Sequence, residues 1–253
     1  MFESIIALLE ANIPANPENP KHQRFELIAY KALRDYFEDI KDAFPYKKLA
    51  AIYHSYVQEA GELEANELIE PVLNFFRAAL ISKLSDAYIG LYIAGSAEMI
   101  EWGKTKGGRP IYFEGDPAKQ AIEYANTRTA TLIRGMDEES KKIIRSVIAD
   151  GIENKKGIPG IERALRSEFN DMKKARSVMI ARTETCDALE QSFMDNARLM
   201  GINGKEWVVT VPCETCAMNA GQVVLLDQVF PSGHLRPPAH PNCRCALAPV
   251  MID

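Results

Sequence analysis

Long apolar runs are missing from this chain, and so is a basic leader. No run approaches the roughly 20 apolar residues that cross a bilayer. The short apolar stretch Ile5 to Leu9 lies between Glu3 and Glu10, with no lysine or arginine ahead of it. The first absence excludes a helical membrane span and the second argues against a secretory signal, so the expectation is a chain that folds in a cytoplasm. A phosphate-binding loop is lacking too. Gly103-Lys104-Thr105 imitates its end, but Glu98 stands where the first glycine is needed.

What is present is the composition of an ordinary globular protein, 47% hydrophobic and 26% charged over 253 residues. The net charge of −5 is unevenly spread. Residues 1–100 carry nine basic and fifteen acidic side chains, whereas residues 140–182 carry eleven basic and five acidic ones. That basic stretch, with Lys141, Lys142, Arg145, Lys173, Lys174 and Arg176, reads either as a solvated helix face or as a contact for nucleic acid or an acidic partner.

Helical periodicity dominates the first 200 residues. Phe25, Ile28, Leu33, Tyr36 and Phe37 mark one amphipathic helix after a proline- and asparagine-rich loop at 12–20. A second runs from Pro71, as its first residue, to Trp102, with an apolar stripe of Val72, Phe75, Phe76, Leu80, Leu84 and Ala87. Glycines and a proline at 103–116 predict a connection or short hairpin. Asp116-Pro117 then starts a helix through Tyr124 to Ile133, and Asp137 opens another with Ile143, Ile144, Val147 and Ile148 on one face. Gly157 to Gly160 is expected to be a turn, followed by a helix carrying Ile161, Leu165 and Phe169. A last helix, at 171–200, carries Val178, Cys186, Leu189, Phe193, Ala197 and Met200. Cys186 reads as a small core residue, remote from the other cysteines.

After Gly201 the chain turns β-rich, at Trp207 to Val211 and Val223 to Leu226, and then proline-rich from Pro231 to Pro241. Four of the five cysteines fall here, from Cys213 to Cys245, with two of the four histidines. Cys213-x-x-Cys216 and His240-x-x-Cys243-x-Cys245 are two ligand clusters separated by a loop, a pattern that points to structural zinc. Five candidates exceed four seats, so four of Cys213, Cys216, His240, Cys243 and Cys245 are expected to bind. Cys213 and Cys216 are the safest pair. Either Cys243 with Cys245 (which share a face if the segment is a strand), or His240 with one of them, completes the set. Catalytic zinc would need an open seat and a nearby acid or base, and Glu214 is a single carboxylate in a turn. A disulfide is a further alternative. A module of this size cannot offset its chain entropy unaided, which is where a bound metal contributes.

Ala181-Arg182-Thr183-Glu184, Lys205-x-Trp207, Cys213-x-x-Cys216, Gly221, Phe230 and Pro237-Pro238-x-His240-Pro241-Asn242-Cys243-Arg244-Cys245 together resemble the phage minor head morphogenesis proteins, the Mu protein F-like family. The resemblance spans roughly 117–250. It implies a non-enzymatic minor capsid protein of a tailed phage or prophage, near the portal vertex of the virion and in the host cytoplasm during assembly. Implied partners are the portal protein, scaffold or major capsid protein and packaged DNA; the alternative is a zinc-stabilised nucleic-acid-binding protein using 141–182. The fold expectation is α+β and mostly helical, with a small C-terminal strand and loop module closed by zinc. It divides into an N-terminal helical domain at 1–115 and a Mu F-like domain at 116–253, whose helices (116–200) precede the module (201–253). Arg182, Glu184 and Trp207 are expected to be structural, the first two tying their helix to the module by salt bridge or capping.

Overall fold

The computed structural model describes residues 13–51, 53, 63–105, 116–209 and 213–252. Its long helices are α1 (Pro20–Ala43), α2 (Leu63–Thr105), α3 (Pro117–Glu153), α4 (Gly157–Asp171) and α5 (Ser177–Leu199). A five-residue π segment, Met172–Arg176, joins α4 to α5. The C-terminal part holds β1 (Gly204–Val208), the short α6 (Glu214–Ala217), β2 (Val223–Leu225) and β3 (Ala246–Val250). No helix among the described residues is long and apolar enough to cross a membrane.

Start signals account for the helix ends. Asn19 caps α1 through Oδ1, which accepts from the Lys21 amide at 3.0 Å, and Pro20 takes the first helical position. Asp116 caps α3 as expected, its Oδ1 accepting from the amides of Ala118 and Lys119 at 3.0 and 3.3 Å.

The interior of several elements departs from expectation. Pro71 lies inside α2, which begins eight residues earlier. The buried stripe of α2 runs through Leu73, Leu80, Leu84, Ala87, Tyr88 and Leu91, while Phe75 is 78% exposed. At 100° per residue, position 75 lies about 200° from position 73, on the opposite face. Ile28 is likewise exposed on α1, and Leu33, Tyr36 and Phe37 form its buried face. Asp137 does not open a helix, because α3 is continuous from Pro117 to Glu153. Gly157 to Gly160 form the first turn of α4 rather than a loop. The helix α2 extends through Thr105, and the rest of the expected 103–116 connection, residues 106–115, lies outside the described residues.

The chain divides into two compact units built from interleaved segments. One comprises Tyr30–Ser85 and Asn126–Val178. Its core includes Phe37, Phe44, Leu73, Ile144, Ile161, Leu165 and Phe169, all buried. Asp137, 3% exposed, is an anchor there: it accepts from the Tyr36 hydroxyl at 3.0 Å and from Arg77 Nη2 at 2.6 Å.

The other unit comprises the segment ending at Ala29, Asp86–Ala125 and Met179–Asp253. Its sheet has the antiparallel order β2-β1-β3, with Lys205 opposite Val224 on one side and Pro249 on the other. β3 lies beyond the expected strands and contains Pro249. As an edge strand β3 tolerates it. Cys243 and Cys245 precede β3 in irregular backbone, so they do not share a strand face. Thr210 and Val211 of the expected first strand lie outside the described residues.

Candidate metal centre

Cys213 is the N-cap of α6, in extended backbone (φ −134°, ψ 163°), and its sulfur accepts from the Cys216 amide at 3.3 Å. The turn thereby brings Cys216, fully buried, to the same side as Cys213. His240 arrives from the proline-rich loop. Its Nδ1 lies 2.8 Å from the Pro241 carbonyl. That oxygen only accepts, so Nδ1 carries the proton and Nε2 presents its lone pair. Nε2 stands 3.1 Å from Cys213 Sγ and 3.2 Å from Cys216 Sγ. Cys243 Sγ is 3.8 Å from Cys216 Sγ.

The five expected ligands therefore converge, in two triads. Cys213, Cys216 and His240 lie within 4.8 Å of one another, and so do Cys216, Cys243 and Cys245, the second triad wholly buried. Zinc–sulfur bonds of about 2.3 Å arranged tetrahedrally set ligand atoms about 3.8 Å apart. The 3.8 Å sulfur pair matches this, and the two imidazole contacts, at 3.1 and 3.2 Å, are shorter, in the direction the shorter zinc–nitrogen bond requires. The donor set, soft sulfur with one neutral imidazole, suits zinc.

Electrostatics mark some of these thiols as acidic and others as reluctant. The Cys216 amide lowers the Cys213 thiol, and hydrogen bonding from Cys186 and Cys245 lowers Cys243. Burial pushes Cys216 up to about 12, and the neighbouring Cys243 sulfur, with burial, pushes Cys245 up. The His240 ring is opposed by burial, yet its Pro241 contact and the sulfurs around it leave it raised. A bound cation would favour all the thiolates at once.

Cys186 is fully buried on α5 but is not remote from the other cysteines. Its sulfur lies 3.5 Å from the Cys245 carbonyl. Helical contact across 59 residues of sequence leaves no local signal. Trp207 is fully buried on β1, edge-on to Phe230 at 5.0 Å. Its ring N–H has no hydrogen-bonded partner, but it stands close enough to favour the Cys245 thiolate. Glu184 is buried and Arg182 exposed on α5, Arg182 Nε lying 3.8 Å from Glu26. Thr183 ties α5 to the cysteine loop, its Oγ1 accepting from the Asn242 amide at 3.0 Å.

Two arginines of the loop carry roles that the motif reading left unassigned. Arg244, between Cys243 and Cys245, forks onto Glu26 at 2.7 and 2.9 Å and reaches Glu18 at 3.1 Å. Arg236 holds Asp187 at 2.9 Å, Gln191 at 3.0 Å and the Pro237 carbonyl at 2.9 Å.

The basic residues of 141–182 are unequal. Lys141 pairs with Glu70 and with Glu138 at 3.1 Å, and Lys173 with Glu38 at 2.9 Å. Arg176, turned inward from the π segment, lies 3.3 Å from Ser140 Oγ and 3.4 Å from the Met136 carbonyl. Lys142, Arg145 and Lys174 are exposed.

Over residues 142–248 the chain matches the family model described as Phage Mu protein F like protein. No curated protein and no solved structure matches the chain. The matched stretch runs from the last part of α3 into β3 and contains all five converging ligands, together with Arg182, Glu184 and Trp207. Residues 142–248 are therefore similar to the Phage Mu protein F like family, the same family that the motifs of this region resemble.

Proposed function

We propose that the protein is a non-enzymatic minor capsid protein of a tailed phage or prophage, acting near the portal vertex during head assembly. The observation that carries this reading is the family match over 142–248, with the five-ligand cluster inside it. Other head proteins are the natural partners, the portal first, scaffold or major capsid protein next, and packaged DNA nearby. The acidic N-terminal region before residue 116 is offered as the partner-contacting domain. The test is cosedimentation of the purified protein with portal assemblies, together with the head phenotype of a phage lacking the gene. Normal heads filled with DNA in the absence of this protein would overturn the assembly role.

Structural zinc belongs to the same reading. It would be held by four of the five converging side chains, with Cys213, Cys216 and His240 among them. Zinc would supply the cross-link that a small sheet with three short strands lacks. Elemental analysis of protein purified under reductant is expected to find at least about one zinc per chain; a metal-free, folded module would overturn it.

DNA binding through 141–182 is the weaker reading, because Lys141 and Lys173 are paired with carboxylates and Arg176 is turned inward. A mobility shift that fades steeply with salt and depends on Lys142, Arg145 and Lys174 would restore it.

A further inference from the structure

We propose that the cysteine cluster is a two-ion site, with Cys216 as a shared bridging thiolate. One ion sits on Cys213, Cys216 and His240, and a second, inner ion sits on Cys216, Cys243 and Cys245. The inference rests on the metal-binding reading above and deepens it.

Geometry is the first argument. The four donors of a single tetrahedral ion stand about 3.8 Å from one another. Among the described residues the five donors do not form such a foursome. They form two groups of three, each within 4.8 Å, with Cys216 in both. The Cys216 sulfur touches one member of each, His240 Nε2 at 3.2 Å and Cys243 Sγ at 3.8 Å. A thiolate has lone pairs enough to bind two cations, so the shared position is chemically competent.

Charge is the second. Cys216, Cys243 and Cys245 are buried, and an uncompensated buried charge is expensive. Four thiolates around one divalent ion leave a net charge of about −2 by formal counting, whereas around two divalent ions they reach neutrality. Lone thiolates would otherwise have to stay protonated.

Chemistry separates the two positions. The outer triad is half-buried and includes an imidazole, so it suits zinc and leaves room for a water ligand at its rim. The inner triad is all sulfur and closed to solvent, which favours a softer ion.

The test is cadmium titration of the reduced, metal-free full chain, followed by thiolate-to-metal absorbance and by intact-protein mass spectrometry. Saturation at two ions per chain is expected, with two cadmium-113 resonances coupled through the shared sulfur. Cys245→Ser and Cys213→Ser should each retain one ion. Saturation at one ion in the unmodified chain would overturn the two-ion site and leave the single-zinc reading standing. Binding of none would overturn both. Because the decisive measurement uses the unmodified chain, misfolding of a variant cannot obscure it.

Discussion

Arg244 sits between two cysteines, yet its guanidinium serves a different task from theirs. Both Nη atoms fork onto Glu26, and the pair is largely buried, with side chains 13% and 15% exposed. Among the described residues, Arg244→Ala leaves Glu26 with the 3.8 Å approach of Arg182. The expected loss is about 2 kcal/mol in urea unfolding, as for charged hydrogen bonds at partly buried sites. Arg244→Lys should recover less than half of it, since an ammonium cannot fork. Lys205 gives a second test. Its side chain is fully buried, donates to the Leu226 carbonyl at 2.5 Å, and burial lowers its pKa to about 8. In the unfolded chain the amine keeps its proton to about pH 10.4. Between those values the unfolded state binds more protons, so stability should rise with pH through that window. Lys205→Met should abolish this rise, a difference on the order of 2 kcal/mol by pH 10. Equal slopes for the two proteins from pH 7 to 10.5 would refute it. Of these two side chains the sequence motif marked the positions and no more. The partner of Arg244 lies 218 residues away, beyond any local pattern.

At the scale of elements, glycine placement decides how closely helices approach. Gly151 belongs to the last turn of α3, and a Cβ there would meet Ile161 Cγ1 of α4 at 2.3 Å. Ile161 is 2% exposed and has little room to shift. Alanine in a helix interior ordinarily gains about 1 kcal/mol over glycine. Here the overpacking cost of roughly 1–3 kcal/mol should exceed that gain, so Gly151→Ala is expected to lower the melting temperature. An increase would show that α3 and α4 separate freely. Apolar stripes made the existence of these helices legible, as with Ile161, Leu165 and Phe169. Their limits were less so. Asp137 has the chemistry of an N-cap, and only the distant Tyr36 and Arg77 reveal it as a mid-helix anchor. Phe75 shows the converse, an aromatic that periodicity assigned to the core and that the two-residue offset from Leu73 turns to solvent.

On the scale of the whole molecule, the two compact units rely on different sources of stability. The unit of Tyr30–Ser85 and Asn126–Val178 is packed from helices, with apolar cores and the Asp137 anchor. The unit ending in Met179–Asp253 includes a sheet whose strands are five, three and five residues long. A sheet that small is marginal alone, and in the zinc reading the metal links α6 to the loop that leads into β3. Chelation should therefore act on one unit selectively. Hydrogen exchange after metal removal is expected to show the amides of β1 and β3 losing protection, while those of α4 and the second half of α3 keep theirs. Readdition of zinc should restore the β1 and β3 amides. The spacing of the cysteines foretold that they would meet, because two clusters separated by a loop are a chemical pattern that survives without knowledge of the fold. It could not foretell Cys186 beside Cys245, a meeting that exists only once α5 packs against the loop. Uniform deprotection of both units would mean that the metal holds the entire chain together. Unchanged protection of β1 and β3 would mean that the burial of Trp207, Phe230 and Leu247 suffices without it.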